Sequence, residues 1–93
     1  MITSFADKET EKIAKGGKSR LLPPDIIKRA LIRLDRVDAA TVIDDLRFPP
    51  SHHLEKLSGN RDGQWSIRIN DQWRVCFIFE NSCAYDVEIV DYH

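Results

Sequence analysis

SGNRDGQWSIRINDQWRVCFIFENSCAYDVEIVDYH, residues 58–93, holds three apolar runs of strand length divided by turn chemistry. From Gln64 to Ile69 the side chains alternate, with Trp65, Ile67 and Ile69 on one face and Ser66 and Arg68 on the other. A period of two is the mark of a half-buried strand. Asn70-Asp71 supplies a turn. Trp73, Val75, Phe77 and Phe79 form the next apolar face, with Arg74, Cys76 and Ile78 opposite. A second turn at Asn81-Ser82 leads into a last strand from Tyr85 to Val90, followed by Asp91-Tyr92-His93. Leu54 to Leu57 is a further short strand candidate.

The first half predicts helices. Ile2 to Phe5 is a brief β-prone run, and residues 7–15 (DKETEKIAK) fit a helix capped by Asp7 and stopped by Gly16-Gly17. Pro23-Pro24-Asp25 opens the strongest helix, which runs to about Val37. Ile26, Ile27, Ala30, Leu31 and Leu34 recur at helical spacing, while Lys28, Arg29, Arg33 and Arg36 occupy the other face. That basic face is expected to be solvated or to meet a partner. Asp38 is expected to cap a third helix over roughly residues 39–46, burying Val42, Ile43 and Leu46, until Phe48-Pro49-Pro50 breaks it. Helices first and an antiparallel sheet after predict an α+β fold, one domain spanning residues 1–93, with N-terminal helices on one face of a small sheet. The other face is expected to stay open and to carry Arg68 and Arg74.

With 93 residues the chain can bury roughly 60–68% of its unfolded surface, enough for a thin core. Hydrophobic residues at 42% and charged residues at 31% fit a globular chain and exclude disorder. No apolar run approaches the roughly 20 residues that span a bilayer. The opening MITSFADKETEK lacks the apolar region of a secretory signal. A cytoplasmic protein with no membrane partner is expected, its Cys76 and Cys83 reduced. Neither cysteine has a second Cys or a His at ligand spacing, so no metal site is expected.

The net charge of −1 is not that of a general nucleic-acid binder. Residues 1–48 carry ten Lys/Arg against eight Asp/Glu, residues 49–93 only four against seven. The few cations of the strand half must therefore act by placement, which favours a substrate delivered by something larger. Arginines on a rigid sheet suit a phosphodiester, and a Tyr-His pair adds groups that move protons. Together these features point to chemistry on RNA.

WSIRINDQWRVCF followed by VEIVDYH resembles the HigB-type toxins of the RelE superfamily, the plasmid-maintenance killer proteins. The resemblance extends from Met1-Ile2-Thr3-Ser4-Phe5 through the Asp-Ala-Ala-Thr stretch at residues 38–41 to the terminal Asp91-Tyr92-His93. It implies a RelE-like fold and a ribosome-dependent mRNA endonuclease. It implies inhibition by a HigA-type helix-turn-helix antitoxin, with operator DNA met only through that antitoxin. It also implies a bacterial cytoplasm and a two-gene operon. By the same resemblance Arg74, Tyr92, His93 and Arg61 match functional positions of the family. Glu55 and Ser58 depart from it, standing where strongly active members often have His and Lys.

Cleavage of this kind sends the 2′-hydroxyl onto its own 3′-phosphate and expels the 5′-oxygen, with an acid, a base and charge stabilisation. Arginine stays protonated and offers phosphate a bidentate fork, which makes Arg74 and then Arg61 the candidates for that role. His93 can serve as acid or base, Tyr92 can stack on a base or orient the phosphate, and Glu55 is an alternative base. Lys56, Arg68 and Gln72 are candidate RNA contacts. No cofactor is called for. Trp65 and Trp73 read as core, and His52 and His53 as ordinary loop residues. The alternative is a catalytically weak or inactive module of the same fold that binds an antitoxin without cutting RNA.

Overall fold

The computed structural model describes residues 1–20 and 22–91. Two helices come first, α1 (Lys8–Ala14) and α2 (Pro24–Ala39). Four strands follow, β1 (Glu55–Lys56), β2 (Trp65–Arg68), β3 (Trp73–Glu80) and β4 (Cys83–Asp91). They form one antiparallel sheet in the order β1-β2-β3-β4. The α+β reading therefore holds. Three short 3₁₀ segments, Ile43–Arg47, Pro50–His52 and Gly59–Arg61, punctuate the connections.

Local chemistry accounts for the helices. Asp7 caps α1 by accepting from the Thr10 backbone N–H at 2.7 Å. Pro24 sits in the first turn of α2, where a missing N–H costs nothing. Ile26, Ala30, Leu34 and Val37 place one stripe of α2 in the core against Ile67, Val75, Phe77 and Val87 of the sheet. Thr10 of α1, also buried, accepts from the Ile89 N–H of β4 at 3.0 Å, so the helix satisfies a strand donor. Met1 to Ala6 runs parallel along the outer edge of β4. It exchanges backbone hydrogen bonds with Ala84 and Val87 at 2.8–3.0 Å and covers an edge that would otherwise be exposed.

The third helix differs from expectation. Asp38 lies inside α2, and its carboxylate accepts from the Ile2 N–H at 2.8 Å. The following segment is a 3₁₀ turn over Ile43–Arg47, with Val42 55% exposed and only Leu46 fully buried. Asp45 organises it by accepting from the Thr41 and Val42 amides and the Thr41 hydroxyl. The two amides and then that hydroxyl hold the Asp45 carboxyl below its ordinary range. A side chain competing for backbone donors favours a turn over a regular helix.

The last hairpin contains a bulge. Glu80 faces Cys83 and Ile78 faces Tyr85, but Cys76 faces Glu88. The extra residue falls at Asp86, whose φ of 52° places it in the left-handed region and whose N–H is taken by the Ser4 hydroxyl. Beyond the bulge, β4 turns Glu88 and Val90 to the face away from the helices.

Candidate active site

The sheet face away from the helices carries the candidate residues, and it is less open than the alternation implies. Ser66 and Cys76, neighbours across β2 and β3, are wholly buried there. Four charged side chains, Arg74, Glu55, Arg61 and Glu88, gather around them. Arg74 reaches back from β3, donating to the Ser66 hydroxyl at 2.9 Å and to the His53 carbonyl at 2.7 Å. Its guanidinium also lies 3.6 Å from the Glu55 carboxylate. Only 11% of the Arg74 side chain is exposed. Arg61, delivered by the 3₁₀ segment Gly59–Arg61, donates to Glu88 at 3.0 Å and to Gln64 at 3.1 Å. Both guanidiniums are thus closed by carboxylates. Burial pushes the Cys76 thiol up, Arg61 and Arg74 pull it down, and Glu88 and Glu55 push it further up. It stays a neutral thiol beneath a polar lid.

The other candidates are distributed unevenly. Arg68 lies directly opposite Arg74 in the β2–β3 register, yet its guanidinium turns to the Asn70 carbonyl and the Asp71 carboxylate at the turn. Gln72 donates to Asp91 at 3.1 Å, near the end of β4. Lys56 is not brought to this face. It pairs with Trp65, which pairs with Phe77, so alternation turns it to the helix side, 5.8 Å above the Trp65 ring. Ser58 is exposed just before Gly59–Arg61. Tyr92 and His93 lie outside the described residues. Among the described residues no group of three or more His, Cys, Asp or Glu is placed to hold a metal ion.

Three contributors were missed by the sequence. Glu88 reaches the site only because of the bulge. Ser66 reads as a plain polar alternation residue, yet it anchors Arg74. The His53 carbonyl is a backbone contribution that no side-chain pattern signals. His52 beside it is wholly buried, its Nδ1–H donating to the Leu46 carbonyl at 3.0 Å. Its Nε2 has no partner among the described residues.

Two helices pack on one face of a four-stranded antiparallel sheet, and arginines gather on the other. A chain in a YoeB-YefM complex from Staphylococcus aureus superposes with a TM-score of 0.63 over 100% of this chain and 95% of its own, at 19% identity. That likeness concerns the fold alone. Residues 3–93 match the family model of the RelE-like toxin of type II toxin-antitoxin system HigB. Endoribonuclease HigB of Proteus vulgaris is 36% identical over 93 residues, 100% of each chain. Toxin HigB-1 of Vibrio cholerae is 42% identical over 85 residues, 90% of each chain. The chain belongs to the HigB-like toxin family, and its partner class is accordingly an antitoxin. Among the described residues no helix is long and apolar enough to cross a membrane.

Proposed function

We propose that this chain, as one domain over residues 1–93, is an mRNA endoribonuclease that works on the translating ribosome in the cytoplasm. A HigA-type helix-turn-helix antitoxin holds it inactive and carries the pair to operator DNA. The observation that carries this reading is the pairing of Arg61 and Arg74 on one sheet face around buried Ser66 and Cys76, in a family whose Proteus relative is named an endoribonuclease.

In this mechanism a scissile phosphate displaces Glu55 from Arg74 and Glu88 from Arg61. Both guanidiniums then meet the charge that grows on the phosphoryl oxygens as the 2′-hydroxyl attacks. The Ser66 hydroxyl and the His53 carbonyl hold Arg74 by its Nε and one terminal nitrogen, so its orientation is set before substrate arrives. The base for the 2′-hydroxyl proton is assigned to Glu55, a reading supported by its 53% exposure beside Arg74. His93 protonates the leaving 5′-oxygen, and Tyr92 stacks on the neighbouring base. The ribosome supplies alignment and the positive surroundings that the acidic strand half lacks. No metal or other cofactor takes part.

The test is to map mRNA 5′ ends after induced expression in cells, with and without the antitoxin gene. New ends within translated codons, lost on co-expression of antitoxin, are expected. The second reading, an antitoxin-binding module with weak or no cleavage, draws on the ion pairing of both arginines. Antitoxin binding with no new mRNA ends would favour it.

A further inference from the structure

A second cationic feature lies beside the candidate active site. A pocket of about 270 Å³ opens between α2 and the β2–β3 turn, lined by Arg29, Arg33, Arg68, Ser51, His53 and Asn70. Three guanidiniums face one carboxylate there, Asp71, which is 97% exposed at the rim. Arg33 is fixed in place, its Nε donating to the Arg68 carbonyl at 2.9 Å and a terminal nitrogen lying 3.5 Å from the Ser51 hydroxyl. Arg29, one turn earlier on α2, has neither a hydrogen bond nor an ion pair among the described residues. The Asn70 side-chain oxygen is used by the Gln72 and Trp73 amides, which leaves its NH₂ group available to donate. Burial, then the neighbouring charges of Arg29 and Arg36, lowers the Arg33 pKa. Like charges one turn apart on a helix repel. Three guanidiniums against one carboxylate leave the pocket with an excess of two positive charges.

His53 links the pocket to the candidate active site. Its side of the chain lines the pocket, while its carbonyl accepts from Arg74. A strand of RNA crossing Arg74 therefore has the pocket within reach of an adjacent backbone phosphate. We infer that the Arg29–Arg33–Arg68 pocket is a second RNA-phosphate site, one residue wall away from the Arg74 cluster. It takes a phosphodiester oxygen pair through the forks of Arg29 and Arg33, with Ser51 and Asn70 as neutral donors. The identity of that phosphodiester as RNA rests on the function proposed above. Its source is either the mRNA being cut or the backbone of ribosomal RNA.

Arg29→Gln tests it, because Arg29 is exposed and holds nothing else in place. The full chain would be titrated with a 2′-O-methyl RNA hexanucleotide, which cannot be cleaved, and separately with mRNA-free ribosomes. Binding to one of the two weakens about ten-fold, and against the hexanucleotide the salt slope falls by about 0.7, the value for one phosphate contact on single-stranded RNA. Loss in the hexanucleotide arm assigns the phosphate to mRNA; loss in the ribosome arm alone assigns it to ribosomal RNA. Arg29→Lys retains most of the salt slope and recovers part of the affinity. Wild-type affinity of Arg29→Gln in both arms overturns the site, as does wild type binding neither RNA. Loss of antitoxin binding alone also overturns it, assigning the pocket to an acidic protein segment. The nuclease reading stands or falls separately: RNA binding that depends on Arg29 with uncut mRNA keeps the site and removes the cleavage.

Discussion

Arg68 and Arg74 face each other directly across β2 and β3, yet their guanidiniums point apart. Arg68 turns toward Asn70 and Asp71, Arg74 toward Ser66, His53 and Glu55. Like charges opposed on neighbouring strands destabilise a sheet, and divergence relieves that repulsion. It also divides one basic row into two stations, one above Cys76 and one beside α2.

Arg74 anchors Ser66 and His53 and is also the proposed charge-stabilising group, and its variants separate the two roles. Arg74→Ala deprives the buried Ser66 hydroxyl and the His53 carbonyl of a donor, a loss of about 1–3 kcal/mol of stability. Loss of a charge-stabilising group lowers cleavage by about 10²–10³-fold. Arg74→Lys keeps the charge without the fork and is expected to fall between. Urea denaturation and cleavage in a ribosome-containing extract read the two effects separately, and antitoxin binding stays as in wild type. Deleting Tyr92 and His93 is expected to remove toxicity while antitoxin binding stays intact. Growth arrest by either variant at wild-type expression would overturn the assignment.

Naked RNA should be a poor substrate. The four cations of residues 49–93 are outnumbered by seven carboxylates. Among the described residues Arg61, Arg68 and Arg74 each already face one. A free strand must displace those carboxylates with no help from a bulk positive field. Purified mRNA incubated with the protein is expected to stay intact until ribosomes are added. Rapid cutting without them would contradict this.

His52 makes stability depend on pH. Burial lowers its pKa most, Arg33 and Arg36 lower it further, and the hydrogen bond to Leu46 partly opposes them. The folded protein therefore holds the imidazole neutral where the unfolded chain, near the ordinary 6.5, already binds a proton. Because the unfolded state binds more protons, stability falls as pH drops below about 6.5 and levels off once the folded value is passed. His52→Asn keeps a donor for Leu46 and removes the titration. Its stability is expected to be lower at neutral pH but flatter between about pH 5 and 6.5. An equal slope in the two proteins, measured by urea midpoints, would assign the dependence to other groups.

Strand alternation and helical spacing carried the fold, because α2, β2 and β3 each turn an apolar stripe to the core. The third helix failed because Asp45 captures the Thr41 and Val42 amides, a competition that apolar spacing does not register. The site was harder. Counting a regular hairpin back from Asn81-Ser82 places Glu88 opposite Val75, on the core side. The bulge at Asp86 moves it opposite Cys76 instead, into the reach of Arg61. Asp tolerates a left-handed backbone better than most residues, but nothing in the alternation of the strand marks Asp86 for one. Lys56 shows the converse: adjacent to Glu55 in sequence, it is sent to the opposite face by the pleat.

Glu55 and Ser58 are expected to limit how strongly this toxin acts. Glu55 holds a negative charge 3.6 Å from Arg74, on the face where the phosphate must arrive. Ser58 is exposed beside the segment that delivers Arg61, where a lysine would add a cation. Two unit charges a few ångströms apart interact by roughly 1–4 kcal/mol across the range from water to a protein surface. Exchanging the carboxylate for an imidazole and adding an ammonium should raise the rate by about ten-fold or more. Both side chains are exposed, so solubility and antitoxin binding should not change. Glu55→His with Ser58→Lys is therefore expected to arrest growth at lower expression than the native chain. Cleavage in a ribosome-containing extract measures the gain directly. The imidazole can still take the 2′-hydroxyl proton, so the exchange removes a charge without removing the base. A folded double variant that cuts no faster than wild type would mean that the Glu55 carboxylate is worth as much as a base as its charge costs, and Glu55→Gln alone should then lower the rate.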